Sequence, residues 1–317
     1  MGNIQPRIQA HPFLKGLVPE HRSVVMQGAE ERAFSTGEIV FREGQPANRF
    51  YLIQEGRLAL ETHVPGWGDV QIVSAGPGQV LGWSWLVPPY VWHFQARALE
   101  PAKTMVLNGG HLLVASEQDH YLGYELMKNI SKLILDVLLV AHQRWLETGH
   151  HPVVSTAEQP ATAESAAGLA MEIRIAEQPF FHGMPPRYLQ NLAALATVKE
   201  YEPRQMVFET GQPAEGLYVV ERGRLVLEAR QAGVSVPAQI IRAGDAIGWS
   251  SFCEPYEWQF DARALDLSTT TIFFTAAQIR ERCAADYHLG YELTKRITRM
   301  MLQRLQATRN RMWEAFR

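Results

Sequence analysis

The sequence predicts an α+β protein made of one domain used twice, each copy a set of short strands closed by a long C-terminal helix. Three observations carry this. The chain repeats itself: His11-Pro12-Phe13-Leu14-Lys15-Gly16-Leu17 returns as Gln178-Pro179-Phe180-Phe181-His182-Gly183-Met184, an offset of 178 − 11 = 167. Gly44-Gln45-Pro46-Ala47 returns as Gly211-Gln212-Pro213-Ala214, and Leu122-Gly123-Tyr124-Glu125-Leu126 as Leu289-Gly290-Tyr291-Glu292-Leu293. A unit this long is a whole domain, not a solenoid repeat. Between those landmarks, runs rich in aromatic and β-branched residues alternate with glycine-marked turns, which is strand and turn chemistry. Each copy then ends in a long stretch of helical periodicity.

Taken in order, each repeat opens with a short helical stretch and passes into strands such as Phe50-Tyr51-Leu52-Ile53 and Leu217-Tyr218-Val219-Val220. Many short strands at regular turn spacing imply a sandwich or barrel. The closing helices are predicted over Tyr121 to Glu147 and His288 to Phe316. In the second, Leu293, Ile297, Met301 and Leu305 recur every four residues, an apolar stripe set against Arg296, Arg299, Arg304 and Arg309. From Thr148 to Ala167 the composition turns to Ala, Ser, Thr, Pro and Glu, as in a solvated linker. The predicted division is therefore 1–147, a linker at 148–167, and 168–317.

Composition narrows the function. At 317 residues there is room for two cores. A net charge of −3 and a pI near 6.4 give no basic footprint for nucleic acid. Cys253 and Cys283 are the only cysteines, too few for a disulfide framework or a four-cysteine cluster, and they suit a reducing cytoplasm. Residues 1–10 have no apolar core like that of a signal peptide. The most apolar run, Leu133 to Ala141, is broken by Asp136 and falls short of the roughly 20 residues that a membrane span needs. No P-loop, nucleophile elbow, paired-histidine motif or dinucleotide fingerprint is present, so no catalysis, cofactor or metal is expected.

Two stretches match something specific. Phe34-x-x-Gly37-Glu38-x-Val40, Glu43-Gly44-x-x-Ala47 and Phe50-Tyr51-x-Ile53-x-x-Gly56-x-Leu58 are echoed by Tyr201 to Val207, Gly211-x-x-Ala214 and Leu217-Tyr218-x-Val220-x-x-Gly223-x-Leu225. This pattern resembles the front half of a cyclic-nucleotide-binding domain of the catabolite-activator (Crp-Fnr) type, also found in cyclic-nucleotide-regulated kinases and channels. The resemblance covers about residues 11 to 147 and 178 to 316. It implies two tandem β-rolls of jelly-roll type and a regulatory, ligand-sensing role.

In that family a short helix after Gly-Glu holds the cyclic phosphate, the Glu takes a ribose hydroxyl, and an Arg on the next strand pairs the phosphate. Here the matching stretches are Gly82-Trp83-Ser84-Trp85-Leu86 and Gly248-Trp249-Ser250-Ser251-Phe252. Tryptophan stands at the Glu position in both copies. It stands at the Arg position as well, as Trp92 and Trp258. Arg97 and Arg263, five residues on, offer a substitute clamp. Strand alternation, however, puts Trp92, Phe94, Ala96 and Ala98 on the core face and sends His93, Gln95 and Arg97 outward. Losing one partner of a buried ionic contact costs about 3–5 kcal/mol. Weak or atypical cyclic-nucleotide binding follows.

The candidate ligand-binding residues are therefore Gly82, Trp83, Ser84, Trp92, Gly248, Trp249, Ser250 and Trp258. With Trp85, their tryptophans either fill the pocket as core or form an aromatic cage for a planar or cationic ligand. Ser84 and Ser250 either cap the short helix or hold an anion. Cys253 reads as a small core residue. His93, His111 and His120 show no metal-ligand pairing, and His150-His151 falls in the linker. The expected partners are a nucleotide-like, aromatic or cationic small molecule and a protein or second copy at the closing helices, which are expected to associate within the chain as a pseudo-dimer or between chains because Leu122 to Leu139 offer much apolar surface. Two rival functions stay open: a ligand-free scaffold or accessory subunit, and a transcriptional regulator without its own DNA-binding module, since no helix-turn-helix follows the last helix.

Overall fold

The computed structural model describes residues 11–64, 66, 68–86, 88–147, 170–231, 233–266 and 268–315. The expected linker 148–167, with His150 and His151, lies outside the described residues, as do residues 1–10 and Phe316. The chain divides into two compact units, Met1–His150 with Met301–Arg317, and His151–Met300. The sequence repeat assigns all of the last helix to the second copy, whereas its last turns count with the first unit.

The first unit opens with a 3-10 turn, Pro12–Leu14, and helix α1 (Pro19–Val25). Eight strands follow: β1 (Glu30–Phe34), β2 (Ile39–Phe41), β3 (Arg49–Glu55), β4 (Leu58–Val64), β5 (Gly68–Ala75), β6 (Val80–Leu81), β7 (Gln95–Ala98) and β8 (Ala102–Asn108). They form two four-stranded sheets, β1-β8-β3-β6 and β2-β7-β4-β5, with antiparallel pairing throughout. Phe50, Tyr51, Leu52 and Ile53 of β3 are all buried. An unbroken apolar run marks a strand covered on both faces, and β3 lies between β8 and β6.

Helices α2 (Gly109–Gln118) and α3 (His120–Glu147) complete the roll. Asp119 starts α3, its Oδ1 accepting from the amides of Tyr121 at 3.0 Å and Leu122 at 3.1 Å, which satisfies donors that have no intrahelical partner.

The second unit repeats this plan. It contains α4 (Met171–Ala176), a 3-10 turn at Pro179–Phe181, α5 (Pro186–Ala193), β9 (Ala196–Tyr201), β10 (Met206–Phe208), β11 (Gly216–Arg222), β12 (Arg224–Gln231), β13 (Val234–Arg242), β14 (Ala246–Ile247), β15 (Asp261–Ala264), β16 (Thr269–Thr275), α6 (Ala276–Ala285) and, up to Met300, the first half of α7 (Tyr287–Ala315). The sheets are β9-β16-β11-β14 and β10-β15-β12-β13, the same order as in the first unit. Asp286 starts α7 as Asp119 starts α3, with its Oδ1 3.0 Å from the amide of His288.

The closing-helix stripe is core: Leu293, Ile297, Met301 and Leu305 are buried. The opposite face is not uniformly polar, because Arg304, placed there by periodicity, is buried as well. The apolar surface of Leu122 to Leu139 is also largely covered within this one chain. Leu122, Leu126, Ile130, Ile134 and Leu138 are buried, leaving Leu133 half-buried. Among the described residues no helix is long and apolar enough to cross a membrane.

One difference between the copies has a pH consequence. His11 caps the first 3-10 turn, its Nδ1 accepting from the Phe13 amide at 3.2 Å, and the ring is buried. Burial holds its pKa below the ordinary histidine value, against a raising contribution from the Ile53 backbone. Its contribution to stability is thus complete above about pH 6.5 and is lost as pH falls through the lowered folded-state value. His11→Gln installs the residue that stands at 178 in the second copy. It is predicted to flatten part of the acid-side loss in urea midpoint between about pH 7 and 5; superimposable pH–stability curves for variant and wild type would count against this.

Candidate functional site

Each cassette begins at a glycine that no other residue replaces without strain. Gly82 has φ 94° and Gly248 φ 111°, in the region closed to side chains. A Cβ on Gly82 would lie 3.0 Å from the Arg49 carbonyl, and one on Gly248 2.3 Å from that of Gly216. From these glycines the chain enters single 3-10 turns, Trp83–Leu86 and Trp249–Phe252. Ser84 and Ser250 occupy the second position of those turns and cap neither. The N-cap of the second is Gly248, which has no side chain to offer, and Ser84 Oγ instead lies 3.3 Å from His93 Nδ1. Both serines are buried.

Trp92 and Trp258 stand at the centres of two matching aromatic clusters. Trp92 stacks on Phe41 with centroids 4.1 Å apart and planes at 21°, and Tyr51 closes the group at 6.4 Å from Trp92. Trp258 stacks on Phe208 at 3.9 Å and 13°, with Tyr218 at 6.1 Å. Trp92 and Trp258 are 4% and 3% exposed. Trp83, Trp85 and Trp249 are equally buried, Trp85 meeting Phe50 edge-on and Trp249 meeting Phe260.

The backbone fixes these rings in place. In the first unit the Gly44 amide donates to the Trp92 carbonyl and the Trp92 amide to the Gln45 carbonyl, both at 2.8 Å. Gly211, Trp258 and Gln212 repeat that pair of bonds at the same distance.

Strand alternation predicts part of the next segment correctly and part not. Phe94, Ala96 and Ala98 are buried, and Arg97 turns away to Glu61 at 3.1 Å and Asp69 at 2.7 Å. Gln95, placed outward by alternation, is buried beneath that pair and donates to Glu61 at 3.0 Å and Asp69 at 2.7 Å. The reason is local: Gln95 shares the face of Arg97, and the carboxylates the two bind in common cover it. Hydrogen bonding from His63, ahead of the contributions of Gln95 and Arg97, holds the Asp69 carboxyl below its ordinary range despite some burial. In the second copy Arg263 lies 3.5 Å from Glu228, and Asp261 pairs with Arg230 at 3.0 Å while accepting from the Thr210 amide at 2.7 Å.

One group at the first cassette is invisible to local sequence patterns. Arg309, in the last turns of α7 that belong to the first unit, donates through Nη1 to Glu43 Oε1 at 2.9 Å and to the His93 carbonyl. Its guanidinium stands 5.7 Å from the Phe94 ring centroid. Burial pushes the Glu43 carboxyl up in pKa against the pull of Arg309, and pushes Arg309 down against the pull of Glu43. Burial, and then Arg309, keep His93 below the ordinary imidazole value. The copies differ at both contacted positions, Glu43 and His93 against Thr210 and Gln259.

Cys253 and Cys283 are buried thiols, and burial pushes Cys283 up to about 12. Among the described residues no group of three or more His, Cys, Asp or Glu is placed to hold a metal ion. His111 instead bonds the Val24 carbonyl at 2.9 Å.

Comparison with known proteins gives a consistent picture. The family model described as the cyclic nucleotide-binding domain matches residues 31–119 and 198–286. A cAMP-dependent protein kinase regulatory subunit from Hypocrea atroviridis is 31% identical over 71 residues, 22% of this chain; the match spans only 14% of that protein's length. Among solved structures, a putative cyclic nucleotide-binding protein from Geobacter metallireducens is 30% identical, covering 42% of this chain and 96% of its own, with a TM-score of 0.38. The regulatory domain of Toxoplasma gondii PKA with cAMP is 12% identical over 89% of this chain and 92% of its own, with a TM-score of 0.32.

If the clusters are core, their central ring is costly to remove. Trp258→Ala is predicted to cost about 3–5 kcal/mol in urea unfolding of the full chain, and Trp258→Phe clearly less. A loss under about 1 kcal/mol for the alanine variant would show a loosely held ring.

Proposed function

The chain belongs to the cyclic nucleotide-binding domain family, and from that premise we propose that it is a non-catalytic regulatory protein whose two cassettes are closed by their own side chains. The observation that carries this reading is the pair of aromatic clusters at the phosphate-clamp positions. A cyclic phosphate needs a guanidinium and hydrogen-bond donors at that place. Trp92 and Trp258 offer an apolar ring already stacked on a phenylalanine, while Arg97 and Arg263 are engaged on the far side of the strand with Glu61, Asp69 and Glu228.

Regulation in such a module works by a population shift: a small aromatic ligand or a partner protein favours one packing of the roll against its closing helix. A second reading, a ligand-free scaffold or accessory subunit, draws on the burial of all five cassette tryptophans. Ligand-dependent melting separates the two, since anything that binds only the native state raises the transition temperature.

Cyclic AMP and cyclic GMP are predicted to bind the full chain with dissociation constants above about 10 μM, because an intact micromolar clamp weakened by even about 2 kcal/mol moves some thirtyfold. The measurement is intrinsic tryptophan fluorescence with calorimetry as a control. In parallel, Trp249→Glu with Trp258→Arg, which writes the family's residues back into the second cassette, is expected to lower stability without creating tight binding. Submicromolar binding by the wild-type chain, at one or two sites, would overturn the reading.

A further inference from the structure

In the first cassette Glu43 and His93 sit on the two segments that bracket Trp92, joined through the paired bonds of Trp92 with Gly44 and Gln45. One guanidinium, Arg309, bonds both segments and covers Phe94. The same helix end is held a second time, where Arg311 stands 5.5 Å from the ring centroid of Trp145, a fully buried residue of α3. The side chains of Arg309 and Glu43 are only 15% and 28% exposed. A pair this dry is kept only while both partners stay together, because separating them leaves a charge without compensation. The second cassette is wired differently: Thr210 and Gln259 replace Glu43 and His93, and the Thr210 amide is held by Asp261, itself paired with Arg230 on the neighbouring strand.

We infer that the last turns of α7 are a latch on the first cassette, with Arg309 as its bolt and Glu43 and the His93 carbonyl as its keeper. Movement of residues 92–94 breaks the Arg309 bond to the His93 carbonyl and movement of residues 43–47 its bond to Glu43, and either loosens the helix end around residue 309; undocking of that end loosens residues 43–47 and 92–95. The coupling runs both ways, as any equilibrium linkage must. It reaches one cassette and not the other, so two domains of the same fold respond unequally. The latch deepens the regulatory reading and rests on it for its purpose. Ligand titration tests that reading and amide exchange tests the latch, so the two fail separately.

The test is hydrogen–deuterium exchange on the full chain, which reads local opening segment by segment. Arg309→Met should raise exchange in residues 43–47 and 92–95 by about ten- to a hundredfold, the range for losing a charge-assisted bond. Glu43→Gln, a change in the cassette, should raise exchange in residues 301–311. The swapped pair, Glu43→Arg with Arg309→Glu, restores the ion pair but no donor to the His93 carbonyl, so it should return residues 43–47 and 301–311 toward wild type and leave residues 92–95 loosened. Residues 210–214 and 258–261 should stay unchanged throughout. Wild-type exchange around residue 43 in Arg309→Met, a rise in both cassettes alike, or no recovery in the swapped pair would each overturn the latch. Should Arg309→Met fail to fold, the swapped pair decides alone: protected residues 43–47 and 301–311 support the latch and loosened ones refute it.

Discussion

The stacked Phe–Trp pair at the mouth of each roll is the contact on which the rest of each unit depends. Phe41 comes from β2, Tyr51 from β3 and Trp92 from the loop before β7, so the three rings tie both sheets to the cassette. Phe208, Tyr218 and Trp258 do the same in the second unit. An aromatic side chain buries more apolar surface than any other, and stacked or tilted contacts add about 0.5–1.5 kcal/mol beyond that burial. Rings packed this way are held by the same force that folds the domain. Gly82 follows from this, since a side chain there would press within 3.1 Å of the Trp92 ring.

Charge is distributed to suit an apolar cassette. The arginines after each tryptophan, Arg97 and Arg263, pair with carboxylates on the neighbouring strand, and Gln95 completes the first network from beneath. In the second copy the position of Gln95 is Asp261, which recruits Arg230 and the Thr210 amide. These are two solutions to one constraint, that polar groups near a dry interior must be hydrogen-bonded. Only the first leaves a carboxylate, Glu43, facing a cation from a distant part of the chain.

Much of this was legible in the sequence because it is written locally. Turn glycines, the apolar runs of β3 and β11, and the four-residue stripe of α7 are short-range patterns with short-range causes, and the internal repeat gave each a second instance. Trp83, Trp92, Trp249 and Trp258 stand out equally by position, and all four are buried. What escaped has a long-range cause. Arg304 reads as solvated from helical period alone but is buried by its surroundings. Gln95 reads as exposed from strand parity but is covered by the Arg97–Glu61–Asp69 network on its own face. Arg309 and Glu43 lie 266 residues apart, and no local pattern relates them. The apolar stretch Leu122 to Leu139, expected to associate within the chain or between chains, is largely buried, most clearly at Leu126 and Ile134.

The central claim is that the indoles of Trp92 and Trp258 occupy, as core, the places where the family binds a cyclic phosphate. A high-resolution crystal structure of the full chain grown with excess cyclic AMP addresses it atom by atom. The account predicts both indoles still stacked on Phe41 and Phe208, with no nucleotide density between Trp83 and Trp92 or between Trp249 and Trp258. An indole rotated out of its stack, with a cyclic nucleotide lying in the vacated space, would contradict it.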